Sequence, residues 1–424
     1  MKIVNLNAEQ FDNFASHHKY KSYYQTSNYA NLIKQFGYHT QFLGIAEDSR
    51  LIGATLIIYK DIFMKNKIGY APRGILFDYN EKEKLKEMIT LLKKTLNKGK
   101  FMLFRIDPYI PLSIRTNTGE ILNINQEAQS IIKNLQSNGF KYKGENLFFE
   151  TEKPRWEALI VLKKDIREIF TTFDKRTRNK IRRAANLGIE IIKDKNNDVT
   201  DLYNFIKAKD HKSLDFYKEL VNCFGDMIDV YYAKVNTESF IINSRRSYEK
   251  EVERNEQLSE IIQNTTLSET ERNDYLNKKM ESDELVATYK DSMIMATKLL
   301  REYPEGFNIA GCIVIKYDNA AFVFIDGINE KYKQLNANYL LRWKLVEDYN
   351  EAGLKYLNLN AIVGEFKNKN QYSGLNEMKL GFNSTVTEYI GEFDIIINNL
   401  TYNLYKNLNK DKKPNKKQAN KKTD

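Results

Sequence analysis

A long stretch without glycine or proline is the feature that most constrains the fold of this chain. No glycine occurs from 226 to 305 and no proline from 155 to 303. Within it, residues 239–303 are rich in Glu, Lys and Arg, with apolar residues at helical spacing. Only the polar segment 264–268 offers a reversal. The pattern therefore predicts two antiparallel helices of roughly 25 to 35 residues, an arm about 40 to 50 Å long.

The position of this arm indicates what it was inserted into. It separates two strand-like runs, 227–235 and 310–317, that a tight turn would otherwise join. Because a structureless insertion of this length is uncommon in a compact domain, we interpret the arm as an extension of a β-hairpin. One apolar stripe on each helix is expected to form its seam: Ile241, Tyr248, Val252, Leu258 and Ile262, and Leu276, Met280, Ala287, Ile294 and Leu300.

The order of predicted elements occurs twice in the chain. The first copy has a hairpin, a strand, a helix and a strand, at 41–59, 68–71, 81–98 and 101–106. The second has the arm-bearing hairpin, then the same elements at 321–325, 335–352 and 356–360. A helix at 126–137 with a strand near Leu147 corresponds to a helix at 375–380 and a strand at 385–393. The repeat predicts an α/β (α+β) protein made of two similar subdomains.

Composition limits the class of protein. The chain has 424 residues, 42% hydrophobic and 29% charged, which is enough for a sizeable core and two or three domains. No apolar run approaches the roughly 20 residues of a membrane span and no secretory leader is visible, so we expect a cytoplasmic protein. With only two cysteines and four histidines, we expect no disulfide framework, metal or cofactor.

The net charge of +10 is uneven. The segment 406–424 holds eight Lys and two Asp, a charge of +6, which leaves +4 for the rest of the chain. Such a composition predicts a disordered basic tail that either solubilises the protein or is attracted weakly to anionic lipid or RNA.

Several nucleotide and acyl-transfer motifs are absent from the sequence. Neither a dinucleotide-binding glycine fingerprint nor a P-loop occurs, and there is no nucleophile elbow. The glycine-rich turn that holds the pyrophosphate of coenzyme A is also missing from both copies. These absences argue against acetyl-CoA as the acyl donor.

Three motifs carry candidate functional groups. Residues 175–183 contain six Lys or Arg, and on a helix they would suit an RNA backbone or form a solvated surface. Asp107 follows a predicted strand in RIDPYIP, and Arg73 and Asp78 follow another in YAPRGILFD. Strand ends often supply ligand sites in αβ folds, although Asp107 would serve equally well to cap a turn.

The motifs YAPRGILFDY, FRIDPYIP, DKRTRNKIRRAANLGIEI, EMKLGF and TEYIGEFD, in this order, resemble the Fem/Mur family of peptidoglycan bridge-forming aminoacyltransferases. The resemblance implies two tandem GNAT-like (acyl-CoA N-acyltransferase-like) subdomains with an inserted antiparallel coiled-coil arm. The expected domains are a first subdomain at 1–150, a second at 151–237 and 304–405, the arm at 238–303 and the tail at 406–424.

The resemblance also implies an activity and its residues. The family moves an amino acid from aminoacyl-tRNA to the stem-peptide amine of a peptidoglycan precursor, without a cofactor. The resemblance implies that Asp107 is the proton acceptor of the reaction. It also implies that Lys379 is the lysine that stabilises the oxyanion. The expected substrate-binding residues are Lys34, Arg73, Asp78, Lys212 and Tyr217, and the expected tRNA-binding cations are Arg176, Arg178, Lys180, Arg182 and Arg183.

The expected partners are aminoacyl-tRNA and either lipid II or a UDP-linked precursor, at the inner face of the bacterial membrane. The protein is expected to be peripheral to that membrane, and homo-oligomers or hetero-oligomers with sister transferases remain open. Two other functions are left open by the sequence. One is a noncatalytic RNA- or precursor-binding protein on the same fold, and the other is an N-acyltransferase with another donor. Whether glycine, alanine or serine is moved is not determined.

Overall fold

The computed structural model describes residues 1–62, 64–149, 151–162, 165–264 and 266–408. The chain forms two compact units. The first unit contains 1–160, 219–225 and the chain from Asn358, and the second contains 161–218 and 226–357. This division differs from the expected domains, which assigned residues 304–405 to the second subdomain.

The described part of the chain contains both helices and strands, numbered here in chain order. The helices are α1 (Ala8–His17), α2 (Ser27–Gln35), α3 (Lys82–Lys98), α4 (Gln126–Ser137), α5 (Ile166–Thr172), α6 (Lys175–Asn186), α7 (Thr200–Ile206), α8 (Leu214–Phe224), α9 (Thr237–Gln263), α10 (Glu269–Glu302), α11 (Ala337–Glu351), α12 (Ser373–Leu380) and α13 (Asn399–Leu408). The strands are β1 (Lys2–Asn5), β2 (His39–Glu47), β3 (Arg50–Asp61), β4 (Lys67–Ala71), β5 (Phe101–Ile106), β6 (Pro111–Arg115), β7 (Ile121–Ile124), β8 (Lys141–Tyr142), β9 (Trp156–Val161), β10 (Ile189–Lys193), β11 (Ile228–Val235), β12 (Phe307–Tyr317), β13 (Ala320–Ile328), β14 (Tyr356–Ala361), β15 (Thr385–Tyr389) and β16 (Phe393–Ile396).

A seven-stranded sheet organises the first unit, in the order β1-β2-β3-β4-β5-β16-β8. Only β4 and β5 run parallel, because α3 connects them across the sheet; the other pairs are antiparallel. The buried face of α3, with Leu85, Met88 and Leu92, belongs to the hydrophobic core of this unit. Phe104 of β5 is part of the same core. The order β14-β9-β15-β6-β7 forms a second set of strands in this unit.

The second unit contains the antiparallel strands β10-β11-β12-β13. Helix α11 packs on β11 and β12 with its buried residues Leu341, Leu345 and Val346. The order of three strands, a helix and a strand therefore occurs twice, as β2-β3-β4-α3-β5 and as β11-β12-β13-α11-β14. The repeat predicted from the sequence is present, with a short turn between β2 and β3 and the arm between β11 and β12.

The arm consists of α9, with 27 residues, and α10, with 34. At 1.5 Å per residue they are about 40 and 50 Å long, as expected. Asn236 caps α9, and Ser268 forms a capping box with Glu271 at the start of α10. The end of α9 and the cap at Ser268 place the reversal between Gln263 and Glu269.

The seam between the two arm helices differs from the predicted one. On α10 the buried residues are Ser282, Ser292, Ala296 and Leu299, whereas the predicted Leu276, Met280 and Ile294 are exposed. On α9, Glu251 is buried and accepts a hydrogen bond of 2.7 Å from the hydroxyl of Ser282. The predicted stripe on α10 was therefore wrong, because three of the four buried residues there are small or polar and the fourth is Leu299. On α9 the predicted Leu258 is buried.

The end of the predicted second copy also differs. The expected strand 385–393 is divided into β15 and β16 at Gly391, whose φ is +86°. Residue Leu147, where a strand was expected, lies outside any strand. Of the predicted tail, residues 406–408 complete α13 and the remainder lies outside the described residues. Within the described ranges, no helix is both long and apolar enough to cross a membrane.

Candidate active site

Arg73 and Asp107 lie at the same edge of the first sheet. They follow β4 and β5, the two parallel strands, whose last residues Ala71 and Ile106 are register partners. The Arg73 amide nitrogen donates to Asp107 Oδ1 at 2.7 Å. The sequence motifs thus predicted correctly that these two groups follow strand ends, and the parallel pairing brings them together.

The Arg73 side chain is enclosed by acidic and aromatic groups. Its Nη2 atom donates to Glu157 Oε1 at 2.7 Å, and Nη1 lies 3.7 Å from Asp107 Oδ2. The rings of Tyr109 and Tyr389 lie 5.0 and 4.7 Å from the guanidinium carbon. Arg73 is only 3% exposed. Two carboxylates therefore neutralise it, and it does not present the open cation that was expected to bind the acceptor diphosphate.

Asp107 is buried beside this arginine. Burial raises the pKa of Asp107 to about 6, although the Arg73 charge and amide group act in the opposite direction. In the described part of the chain, its Oδ2 atom accepts no hydrogen bond of normal geometry. A carboxylate whose pKa is near neutrality is suited to accept a proton.

Glu157 is a site residue that the sequence motifs missed. It lies on β9 and accepts hydrogen bonds from Asn358 Nδ2 at 2.7 Å, Tyr389 at 2.9 Å and Tyr109 at 3.3 Å, besides the bond from Arg73. A lone carboxylate within the otherwise apolar strand segment WEALIV was the available signal, since buried charges need partners.

Lys379 lies on α12 and is 4% exposed. Its Nζ atom donates to the Ala361 carbonyl at 2.7 Å. Ala361 ends β14, the strand that also supplies Asn358 to Glu157. One strand thus connects the lysine to the carboxylate cluster around Arg73, although sequence reasoning proposed the two catalytic residues separately.

The other expected substrate residues of the first unit lie apart from this cluster. Lys34 is exposed on α2. Asp78 lies 3.7 Å from Lys19 and accepts a 3.2 Å hydrogen bond from the Asn80 amide. Asp78 therefore pairs with Lys19, whereas Arg73 bonds Glu157.

The remaining candidates belong to the second unit. Lys212 is exposed, 3.2 Å from Asp210, and lies over the Phe216 ring at 5.3 Å. Tyr217 is buried, which raises its pKa. The five expected tRNA-binding cations all lie on α6: Arg176, Arg178, Lys180, Arg182 and Arg183.

Known proteins resemble this chain over nearly its full length. Aminoacyltransferase FemA of Staphylococcus epidermidis is 25% identical to this chain. The similarity covers 97% of this chain and 100% of FemA. Lipid II:glycine glycyltransferase of the same organism is 21% identical over 95% of each chain. Aminoacyltransferase FemB of that organism is 24% identical over 97% of this chain and 98% of its own length.

A solved structure agrees with these relatives at the level of fold. The crystal structure of FemX superposes with a TM-score of 0.70, at 18% identity, over 95% of this chain and 99% of that one. Together with the repeat and the arm, this likeness confirms the predicted fold class. The model of the FemAB family matches residues 6–410, nearly the whole of the described sequence, and the chain belongs to the FemAB family.

Proposed function

We propose that this protein is an aminoacyltransferase that moves an amino acid from aminoacyl-tRNA to the stem-peptide amine of a peptidoglycan precursor, and so builds an interpeptide bridge. The family match over residues 6–410 carries the proposal. It is supported by near full-length relatives named aminoacyltransferases and lipid II:glycine glycyltransferase. The proposed acceptor is lipid II, and the proposed amino acid is glycine, alanine or serine.

The reaction is the aminolysis of an ester. The acceptor nitrogen forms a bond to the ester carbonyl carbon, and the bond from that carbon to the ribose oxygen of the tRNA breaks. One proton leaves the amine and one reaches the departing ribose oxygen. The step requires a proton acceptor and stabilisation of the negative charge that develops on the carbonyl oxygen, but no covalent intermediate with the protein.

Asp107 is the proposed proton acceptor. Its raised pKa gives it enough basicity near neutral pH, and its position after β5 is fixed by the hydrogen bond from the Arg73 amide. Arg73 and Glu157 are positioning residues in this scheme. Their ion pair holds the loop after β4 against β9, which keeps the Asp107 carboxylate oriented.

Lys379 is the proposed donor to the oxyanion. Lys379 is 4% exposed, so the attraction of its ammonium group for a developing negative charge is screened less than in water. The Ala361 carbonyl orients it at the end of β14. A fixed cation of this kind stabilises the tetrahedral state without reorganisation.

We keep Arg73 as a positioning residue. Lys34 and Lys212 are exposed cations, and each is proposed separately as a contact to an anionic group of the acceptor. Asp78 and the buried Tyr217 are further proposed acceptor residues. Because lipid II is anchored in a bilayer, the protein is proposed to act at the inner membrane surface as a peripheral protein. Assembly with itself or with sister transferases is a further proposal.

One incubation tests the function. The purified protein is mixed with lipid II and, in separate reactions, radiolabelled glycyl-, alanyl- or seryl-tRNA, and label in the extracted precursor is counted. Transfer of label is the expected result. Binding of both substrates without transfer would favour a noncatalytic protein, and label transferred only from an acyl-CoA would favour a different N-acyltransferase.

A further inference from the structure

The cations of α6 have two different surroundings. The Arg178 guanidinium donates to the Thr171 carbonyl at 2.5 Å, and Arg182 lies 5.2 Å from the centroid of the Phe170 ring. Phe170 packs in turn against Trp343 of α11, with ring centroids 4.8 Å apart. Arg178 and Arg182 therefore contact α5 and its Phe170 ring, and we assign them a structural role in packing α6 against α5.

The opposite face of α6 lines an open cavity of about 640 Å³. We name it the α6–α11 cavity, and its lining residues are Lys175, Arg176, Asn179, Lys180, Arg183, Gln334 and Asn336. Four of the seven are cations and none is acidic. The volume is within the range of roughly 300 to 1,000 Å³ that is usual for small-ligand sites. Such a lining attracts an anion of nucleotide size.

One cation of this cavity is held in place. Lys180 Nζ lies 2.8 Å from the Tyr339 hydroxyl and 4.4 Å from the centroid of the same ring. Tyr339 belongs to the first turn of α11. The lysine thus bridges the two helices that bound the cavity, and its charge stays at the cavity wall instead of extending into solvent.

The start of α11 adds to the attraction for an anion. Asn336, the residue before the helix, has a φ of +58° and makes no side-chain cap. Its side-chain amide donates instead to the Gln334 carbonyl at 3.0 Å. The first amide groups of this 15-residue helix therefore lack a side-chain acceptor from that residue. A helix start in this state favours a negatively charged group next to it.

We infer that the α6–α11 cavity binds the phosphodiester backbone of the donor tRNA, an inference that rests on the proposed function. Arg176, Lys180 and Arg183 follow one another at i, i+4 and i+7, a line of about 10 Å along the helix. A line of charges suits consecutive phosphates better than one isolated anion, and the amides of Asn179 and Gln334 can donate to sugars or bases. Three of the five cations predicted on α6 thus contact RNA, together with Lys175.

Binding of deacylated tRNA to the full chain, measured over a range of salt concentrations, tests this site. The cavity variant is Arg176→Ala/Arg183→Ala, two exposed residues whose loss leaves the core intact. We expect about tenfold weaker binding and a salt slope of log K smaller by about 1.4, because each lost contact to a single strand contributes about 0.7. Arg176→Lys/Arg183→Lys should restore most of both, since the charges return.

The matched control is Arg178→Ala/Arg182→Ala, which removes the same charge from the same helix. Its salt slope should remain that of the wild type. Lys195→Ala/Lys207→Ala, at exposed positions elsewhere in the second unit, serves as a second control if the first lowers the melting temperature. Equal losses in the cavity and control variants, or no loss in the cavity variant, would overturn the inference.

Two further measurements distinguish RNA from other anionic ligands of the cavity, and the fate of this site from the fate of the proposed function. Weaker binding of lipid II or of phosphatidylglycerol vesicles, with tRNA binding unchanged, would assign the cavity to those ligands and overturn the RNA site. If the wild type binds tRNA through the cavity but transfers no amino acid, the proposed function fails and the site stands. If the cavity variant transfers amino acid with an unchanged KM for aminoacyl-tRNA, the inference of a tRNA site in the cavity is overturned. The proposed function is then retained.

Discussion

The Arg73 amide and the Asp107 carboxylate are 34 residues apart in sequence and joined by a hydrogen bond of 2.7 Å. The bond exists because β4 and β5 are parallel and end together. It holds one oxygen of Asp107 and leaves the other, Oδ2, without a hydrogen-bond donor of normal geometry among the described residues. A proton accepted by Asp107 would therefore reside on Oδ2.

Replacement of Asp107 tests that role. Asp107→Asn should lower the transfer rate by about 10²-fold, since the amide cannot accept the proton. In the wild type, activity should fall below about pH 6 as Asp107 is protonated, and the variant should lose this part of the pH profile. The matched control is Asp61→Asn, at an exposed carboxylate that ends β3 and has no proposed role in the reaction. An unchanged pH profile in Asp107→Asn would remove Asp107 from the reaction.

The same carboxylate should make stability depend on pH. Its pKa is about 6 in the folded protein and near the ordinary 3.8 when unfolded, so the folded state retains a proton that the unfolded state loses. Asp107 therefore makes the protein more stable below pH 4 than at pH 7. On the order of 3 kcal/mol of unfolding free energy is lost as the pH rises from 4 to 6.

His18 acts in the opposite direction, because burial lowers its pKa to about 4 and stability then rises between pH 4 and 6.5. Urea unfolding of the wild type and of Asp107→Asn at several pH values isolates the aspartate. The difference between their unfolding free energies should change across pH 4 to 6, and a constant difference would contradict the assignment.

Removal of the Arg73 side-chain charge should be costly to the fold. Arg73→Met leaves Glu157 and Asp107 buried without their cation, and we expect a loss of about 3 to 5 kcal/mol in unfolding free energy. The matched change Lys34→Met, at an exposed position on α2, should remain within about 0.5 kcal/mol. Urea denaturation measures both, and similar small losses would show that the buried cluster contributes little.

Lys379→Met separates catalysis from binding. The two side chains are similar in length and the site is buried, so the fold should be retained while the ammonium is lost. We expect transfer to fall by at least about 10²-fold, with precursor affinity within a few-fold of the wild type. Lys367→Met, an exposed lysine nearby in sequence, is the control. Unchanged turnover in Lys379→Met would exclude the oxyanion role.

The polar seam of the arm gives a test by double mutation. Ser282→Val removes the hydroxyl that bonds Glu251 and should cost about 1 to 3 kcal/mol, since a buried carboxylate loses a donor. Glu251→Leu/Ser282→Ala should be more stable than Ser282→Val, because the buried carboxylate is removed and its other partner, Arg254, is half-exposed and can be solvated. Thermal unfolding compares them, and a double variant less stable than Ser282→Val would show that the bond is not the main contribution.

Sequence reasoning predicted the parts of the fold that depend on local pattern. The hairpins, α3, α11 and the arm were all visible, because periodicity and helix breakers report directly on them. The α10 side of the arm seam was not predicted, since spacing rules favour large apolar side chains whereas Ser282, Ser292 and Ala296 are buried there. The return of β16 to the first sheet depends on pairing with β5, far away in sequence, which no local pattern records.

Part of the geometry of the candidate site was predicted. The strand-end argument explains why Arg73 and Asp107 meet, while the roles of Asp107 and Lys379 stay predictions. The surroundings of Arg73 could not be read from its motif, because Glu157 and Tyr389 reach it from other strands. The two surroundings of the α6 cations likewise follow from tertiary neighbours such as Phe170 and Tyr339.

Strand β16 lies between β5 and β8, although the ribosome makes it only after the entire second unit. While that unit is being synthesised, β5 and β8 have no strand between them. An N-terminal fragment that stops before Phe393 would thus expose the unpaired backbone of β5, an edge prone to aggregation. The two halves of this duplicated protein are consequently not separable by simple truncation.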